Sequence, residues 1–104
     1  MVMKTLIIGA GLSALVFSGI AAADLNLAKK SGCLACHSVE KKVVGPAWKD
    51  VASKYKGNAG AKATLVEKVK KGGKGNWGQA PMPPYSPRVA DADIEKLVDF
   101  VLSL

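Results

Sequence analysis

The chain is short and basic: its 104 residues include 15 Lys and Arg against 8 Asp and Glu, which gives a net charge of +7. A chain of this length forms one small domain, which excludes a multidomain enzyme and a multi-span membrane protein. Since 49% of the residues are hydrophobic, a wholly disordered chain is also excluded. A domain this small commonly needs a disulfide, a metal or a cofactor to complete its core.

The first 23 residues have the pattern of a secretory signal peptide. Lys4 precedes an uncharged apolar stretch over residues 6–20, and the small residues Ala21-Ala22-Ala23 follow it. We therefore expect cleavage after Ala23 and a working domain over residues 24–104. The alternative is an uncleaved membrane anchor, because residues 6–23 are close to the shortest run that spans a bilayer. Either arrangement places the domain outside the cytoplasm, and we expect a periplasmic location.

The rest of the chain predicts helices and no strands. Asp24 is a candidate cap for a first helix that ends at Ser31-Gly32. Residues 48–56 predict a second helix, which Gly57 stops, and residues 60–71 predict a third, which Gly72-Gly73 stops.

A proline- and glycine-rich segment over residues 74–89 then excludes regular helix and is long enough to suggest a function. The last helix begins at Asp91 or Asp93. Its apolar residues recur with helical spacing at Ile94, Leu97, Val98, Val101 and Leu102. We predict an all-α domain of four to five short helices.

The chain has two cysteines and one histidine, in the sequence Cys33-Leu34-Ala35-Cys36-His37. A Cys-x-x-Cys-His sequence is the attachment signal for c-type haem. Two thiols three residues apart in a helical turn can both bond to the vinyl groups on one edge of a porphyrin, and the next residue, His37, then lies under the iron. The motif predicts one covalently bound haem c with His37 as the proximal ligand.

Three other interpretations of the two cysteines are open. A thioredoxin-like redox pair belongs in a βαβ context, which the sequence does not predict. A structural zinc site needs four ligands, and the chain has no other Cys or His to supply them. A disulfide between Cys33 and Cys36 would close so small a loop that it would add little stability.

Met82 is the candidate for a second iron ligand. It is the only methionine outside the signal peptide, and it lies between Pro81 and Pro83-Pro84. A lone methionine is ordinarily a core residue. Prolines stiffen this segment, however, so that it is better suited to aim a thioether than to pack one. His/Met ligation fills both axial positions of a haem iron, which favours electron transfer over substrate binding.

Four segments together resemble those of short bacterial class I cytochromes c of the c-551/c-552 type, which are periplasmic monohaem electron carriers. The resemblance extends over essentially all of residues 24–104. It implies a few helices wrapped around the haem, with the first and last helices packed across each other. The segments are Cys33-Leu34-Ala35-Cys36-His37, Val44-Gly45-Pro46-Ala47-Trp48-Lys49-Asp50, Gly75-Asn76-Trp77-Gly78 and Pro81-Met82-Pro83-Pro84.

The resemblance also implies roles for individual residues. Cys33 and Cys36 would form the thioether bonds, and His37 and Met82 would be the axial ligands of the haem iron. The carbonyl group of Pro46 would accept the Nδ1 proton of His37, which fixes the ring and raises its basicity.

Three further positions bear on the haem surroundings. Trp77 matches a family tryptophan near the haem propionates, although plain packing in a glycine-rich loop is the alternative. Lys68 stands where relatives often have an arginine that contacts a propionate, and lysine lacks the planar fork of arginine. Tyr85 stands where relatives commonly have an asparagine that tunes the methionine, so that hydrogen bond is not predicted here.

We expect the protein to be an electron carrier, not an enzyme, whose iron cycles between Fe2+ and Fe3+. The alternative is a haem c enzyme or gas-binding sensor with an open distal site. Lysine clusters suit acidic redox partners: Lys29-Lys30, Lys41-Lys42 and Lys68-Lys70-Lys71-Lys74. The family implies a quinol-oxidising complex upstream and a terminal oxidase or nitrite reductase downstream. We expect a monomer that binds no nucleic acid and has no stable membrane insertion.

Overall fold

The computed structural model describes residues 24–104, and the predicted signal peptide lies outside the described residues. The described chain is mostly helical, as predicted. Helix α1 covers residues 24–30. A 3-10 turn at Cys33–Ala35 follows, and the remaining elements are α2 at Trp48–Lys54, α3 at Ala61–Lys71, β1 at Gly73–Gly75, β2 at Gly78–Met82 and α4 at Asp91–Leu102.

The prediction that the chain has no strands is wrong for residues 73–82. Strands β1 and β2 form an antiparallel hairpin in which Gly73 pairs with Met82 and Gly75 with Gly78. Both strands are almost entirely exposed, so they lack the apolar alternation by which a sequence reveals a strand. Gly75 and Gly78 adopt φ angles of 109° and 104°, which allow the two-residue turn between them.

Helix α4 lies at the centre of the core and contributes to two buried clusters. The first cluster joins α1, α2 and α4 through Ala28, Trp48, Val51, Leu97, Phe100 and Val101. The second joins α3, α4 and the segment after the hairpin through Val66, Tyr85, Val89, Ile94 and Val98. Because Ala28 of α1 packs in the same cluster as Phe100 of α4, these two helices meet in one core.

The predicted helix limits differ from the observed ones by a few residues. Helix α2 ends at Lys54 rather than at residue 56, and Gly57 follows with a φ of 78°. Asp24 lies within α1. Ala90 is the N-cap of α4. Asp91 and Asp93 lie in its first turn, where their negative charge interacts favourably with the positive end of the helix dipole. No helix within residues 24–104 is long and apolar enough to cross a bilayer.

Candidate functional site

One cavity lies between the two core clusters, with about 1110 Å³ of atom-free space that is partly open to solvent. Cys33, Cys36, His37, Trp77 and Met82 all line it, although they are up to 49 positions apart in the chain. The rest of its wall is largely apolar and includes Val51, Leu65, Val69, Leu97, Val98 and Val101. The structure therefore brings every predicted ligand and thioether residue to a single apolar site.

A tight turn positions the cysteines. Gly32 begins it with a φ of 86°, and the amides of Cys36 and His37 both donate to the carbonyl oxygen of Cys33, at 3.2 and 3.0 Å. Both thiols are free and half-buried. Burial raises the pKa of the Cys33 thiol; a backbone hydrogen bond partly offsets this shift and Cys36 adds to it. Without haem the Cys33 thiol is therefore neutral at pH 7, unlike a redox-active thiolate.

The His37 ring is held on three sides. Its Nδ1 atom lies 2.9 Å from the carbonyl oxygen of Pro46, which can only accept, so Nδ1 carries the proton. The ring stacks on Trp48 with a centroid separation of 5.5 Å, and Gly45 packs against its edge. In the neutral ring the lone pair is therefore on Nε2, which is the nitrogen available to a metal.

Met82 ends strand β2, and the backbone that follows it is tied to α3. The amide of Tyr85 donates to the carbonyl oxygen of Val69 at 3.1 Å, and that of Ser86 donates to Lys70 at 3.3 Å. Gly72, just after α3, lies so close that a Cβ atom there would clash with the carbonyl oxygen of Met82. The half-buried Met82 side chain packs against the second cluster. These contacts fix its place in the cavity wall.

The remaining predicted residues also lie around the cavity. Trp77, Lys68 and Tyr85 line it: Trp77 is 37% exposed, whereas Tyr85 is buried. The guanidinium carbon of Arg88 lies 4.7 Å from the centre of the Tyr85 ring. Lys68 Nζ would be 3.3 Å from a Cβ atom at Gly73, so it lies close to β1.

The lysine cluster at residues 68–74 is not a uniform patch of free charge. Lys70 pairs with Asp91 at 3.4 Å and Lys71 with Glu67 at 3.0 Å, whereas Lys68 and Lys74 line the cavity. Within residues 24–104, Lys29, Lys30, Lys41 and Lys42 form no ion pair and are exposed.

Sequence reasoning missed several residues that shape the site. Trp48 and Gly45 were recognised only as parts of a motif, and Gly72 only as a helix stop. Trp48 and Gly45 contact the His37 ring, and Gly72 contacts the Met82 backbone. These contacts join residues that are distant in the sequence. The one available signal was glycine itself, which permits such approaches and left-handed φ angles.

Three features of the residues at this site match what a haem requires. The cavity is large and apolar, as a flat porphyrin requires. The two thiols and the Nε2 atom of His37 supply the donors for covalent attachment and for iron. Lys68 and Lys74 place positive charge at the cavity wall, which suits the two carboxylates of haem. A single group of that size and chemistry accounts for all three.

Comparison with known proteins gives the same result. The chain matches the family model described as Cytochrome c over residues 26–104. It is 56% identical over 92 residues to cytochrome c-551 of Allochromatium vinosum (88% of this chain, 97% of that one). It is 52% identical over 103 residues to cytochrome c-552 of Nitrosomonas europaea (98% and 99%).

A solved structure agrees in fold as well as in sequence. The crystal structure of wild-type Nitrosomonas europaea cytochrome c552 matches with a TM-score of 0.74 at 52% identity, over 77% of this chain and 98% of that one. The chain therefore belongs to the cytochrome c family, as a monohaem electron carrier with one covalently bound haem c.

Proposed function

We propose that Cys33 and Cys36 form the two thioether bonds to haem and that His37 and Met82 are the axial ligands of its iron. The observation that carries this assignment is their convergence on one apolar cavity. Within residues 24–104 the chain has no other Cys, His or Met. No alternative donor set of the same chemistry is therefore available in this part of the chain.

Each ligand is prepared by its neighbours. The Pro46 carbonyl holds the Nδ1 proton of His37, which leaves the Nε2 lone pair for iron and increases its donor strength. The backbone hydrogen bonds of Tyr85 and Ser86 to α3 hold the Met82 segment in place. When bound, haem supplies a one-electron couple between Fe3+ and Fe2+. The apolar cavity wall would shield that couple from water on the buried side.

Met82 decides between this function and an enzyme or gas sensor. If it fills the sixth position, the iron has no open site for a substrate, and the protein is a carrier and not an enzyme. The half-burial of Met82 in the cavity wall and the anchoring of the segment around it favour this arrangement.

An absorption spectrum with a potentiometric titration tests the assignment. We expect the weak near-red sulfur-to-iron band in the oxidised protein and little carbon monoxide binding in the reduced one. Met82→Ala should remove the band, lower the potential and admit carbon monoxide. Gln79→Ala, in the exposed part of β2, is the matched control and should leave all three unchanged. An unchanged spectrum in Met82→Ala would exclude Met82 as the ligand.

We also propose that the mature protein is periplasmic, monomeric and starts at Asp24. The signal-peptide pattern of residues 1–23 supports export from the cytoplasm. The similarity to bacterial cytochromes c-551 and c-552 supports a periplasmic location. The mass of the protein recovered from periplasm tests this point: it should correspond to residues 24–104 plus one haem. A mass that includes residues 1–23 would favour an uncleaved anchor.

Its proposed partners are redox proteins with acidic docking surfaces. Four lysines that form no ion pair with any residue in the described range support this, since opposite charge raises the rate of encounter without requiring tight binding. They are Lys29, Lys30, Lys41 and Lys42. On family grounds we propose a quinol-oxidising complex as donor and a terminal oxidase or nitrite reductase as acceptor.

A further inference from the structure

One contact in the structure joins α2 to the tip of the hairpin at the edge of the cavity. The Nζ atom of Lys54 lies 4.8 Å from the centre of the Trp77 ring and 5.7 Å from the centre of the Tyr55 ring. Both rings line the cavity, whereas Lys54 is exposed and does not. The ammonium group therefore covers two cavity-lining rings from the solvent side.

The two sides of this contact are held differently. Lys54 is the last residue of α2, where the helix dipole favours a positive charge. Trp77 lies in the turn between β1 and β2, and the strands around it are exposed from Gly73 to Pro81. Few buried groups thus attach the hairpin tip to the fold. The contact with Lys54 therefore contributes a larger share of the hairpin's stability against local opening than a similar contact would in the core.

The charges around Lys54 indicate that the aromatic rings are its partners. Among the described residues Lys54 forms no ion pair, whereas Lys49 pairs with Glu40 at 2.8 Å and Lys62 with Asp99 at 3.1 Å. A lysine cation over an indole ring is attracted by the negative face of the ring, and tryptophan gives the strongest interaction of this kind. The distance of 4.8 Å is within the range over which this attraction acts.

We infer that Lys54 is a positioning residue for the haem site. Its ammonium group holds Trp77, and with it the hairpin tip, against the end of α2. Strand β2 runs from this tip to Met82, so the contact restrains the segment that carries the ligand. For its effect at the iron, the inference rests on the proposed role of Met82. The restraint on the hairpin itself does not depend on that role.

Amide hydrogen exchange in the haem-loaded protein, resolved by residue with NMR, tests the restraint. Lys54→Met keeps an apolar stem but removes the charge, and it should speed exchange in the hairpin ladder about two- to fivefold, the size of an exposed cation–π contact. Lys54→Arg keeps a cation over the rings and should behave as the wild type does. Lys56→Met, an exposed lysine two positions on, is the matched control. Equal hairpin exchange in Lys54→Met and wild type, or equal acceleration in Lys56→Met, would overturn the inference.

Imidazole binding to the oxidised protein tests the effect at the iron. Because imidazole must displace Met82, we expect Lys54→Met to bind it about two- to fivefold more tightly, with Lys54→Arg and Lys56→Met unchanged. Faster hairpin exchange with unaltered imidazole affinity would overturn the role at the site. A wild-type protein without the near-red sulfur-to-iron band would instead refute the ligation by Met82, and the exchange result would still decide the contact between Lys54 and Trp77.

Discussion

Gly45 packs against the imidazole of His37 so closely that a Cβ atom at position 45 would stand 2.5 Å from the Cε1 atom of the ring. The carbonyl oxygen of the next residue, Pro46, accepts a hydrogen bond from Nδ1 of the same ring, with 2.9 Å between the two atoms. Two consecutive residues thus set the position and the tautomer of His37. The glycine is needed for its missing side chain, since its φ is not in the left-handed region.

Gly45→Ala should therefore displace the His37 ring and weaken its bond to Pro46. We expect a loss of about 1–3 kcal/mol in the free energy of unfolding, the usual range for overpacking. We also expect a higher reduction potential, because an imidazole with a weaker hydrogen bond to Pro46 is a weaker donor and stabilises Fe3+ less. Chemical denaturation and potentiometry measure the two effects. Gly60→Ala is the control, because a Cβ atom there meets only Asn58, at 3.6 Å. Equal stability losses in the two variants would show that the His37 contact is not the cause.

Gly72 has the corresponding role at Met82, the other proposed axial ligand. Its φ is 73°, and a Cβ atom there would clash with the Met82 carbonyl and stand 2.9 Å from the carbonyl carbon of Pro83. Gly72→Ala should push the ligand segment away from α3, weaken the near-red band and destabilise the fold by more than backbone strain alone.

Gly32→Ala introduces left-handed backbone strain without a collision. Gly32 also has a left-handed φ, 86°, but nothing lies within 4 Å of a Cβ atom there. We expect about 1–2 kcal/mol of strain in this control and no change in the band that reports Met82. If Gly72→Ala and Gly32→Ala lower stability equally and both retain the band, the contact between Gly72 and Met82 has no role in ligation.

The helices and the covalently bound haem were predictable because their signals are local. The apolar spacing of α4 matches its buried residues Ile94, Leu97, Val98 and Val101, and the motif beginning at Cys33 needs only five consecutive residues. The pattern omitted the buried Phe100, which lies off that stripe and meets Trp48 edge-on, with ring centroids 6.1 Å apart. Such a contact depends on how α2 crosses α4, which a single helix pattern does not encode.

The hairpin and the contacts of Gly72 and Lys54 were not predictable, because they leave no local pattern in the sequence. Strands β1 and β2 are exposed, so no apolar alternation reveals them. The approach of Gly72 to Met82 joins residues ten positions apart whose separation depends on the hairpin between them. In the sequence Lys54 is an ordinary lysine inside the predicted second helix, and only the fold places it over Trp77.

Ile94 is fully buried in the cluster that supports Met82. Ile94→Ala should lower the free energy of unfolding by about 2–5 kcal/mol, because it removes buried methyl groups and leaves a cavity. Denaturant titration measures the loss, and the near-red band should weaken as the support beside Met82 is lost. Leu25→Ala, at a 40% exposed position, is the control and should change stability little. A loss below about 1 kcal/mol for Ile94→Ala would mean that the cluster repacks around the gap.

Lys41 and Lys42, which form no ion pair among residues 24–104, should set the rate of encounter with an acidic redox partner. Reversing both charges, with Lys41→Glu and Lys42→Glu, should slow second-order electron transfer at low salt on the order of tenfold. Stopped-flow mixing with the partner measures this rate. The difference between wild type and variant should shrink as salt rises, because screening shortens the reach of exposed charges.

Lys62 provides the control for this charge effect. It pairs with Asp99 at 3.1 Å and with Glu95 at 3.9 Å, so its charge is already matched locally. Lys62→Glu changes the net charge by two units, half of the four-unit change in the double variant. Its slowing per unit of charge should be smaller. If the slowing per unit of charge is the same at Lys62 as at Lys41 and Lys42, the effect comes from net charge alone. In that case the exposed pair before Val43 is not a docking site.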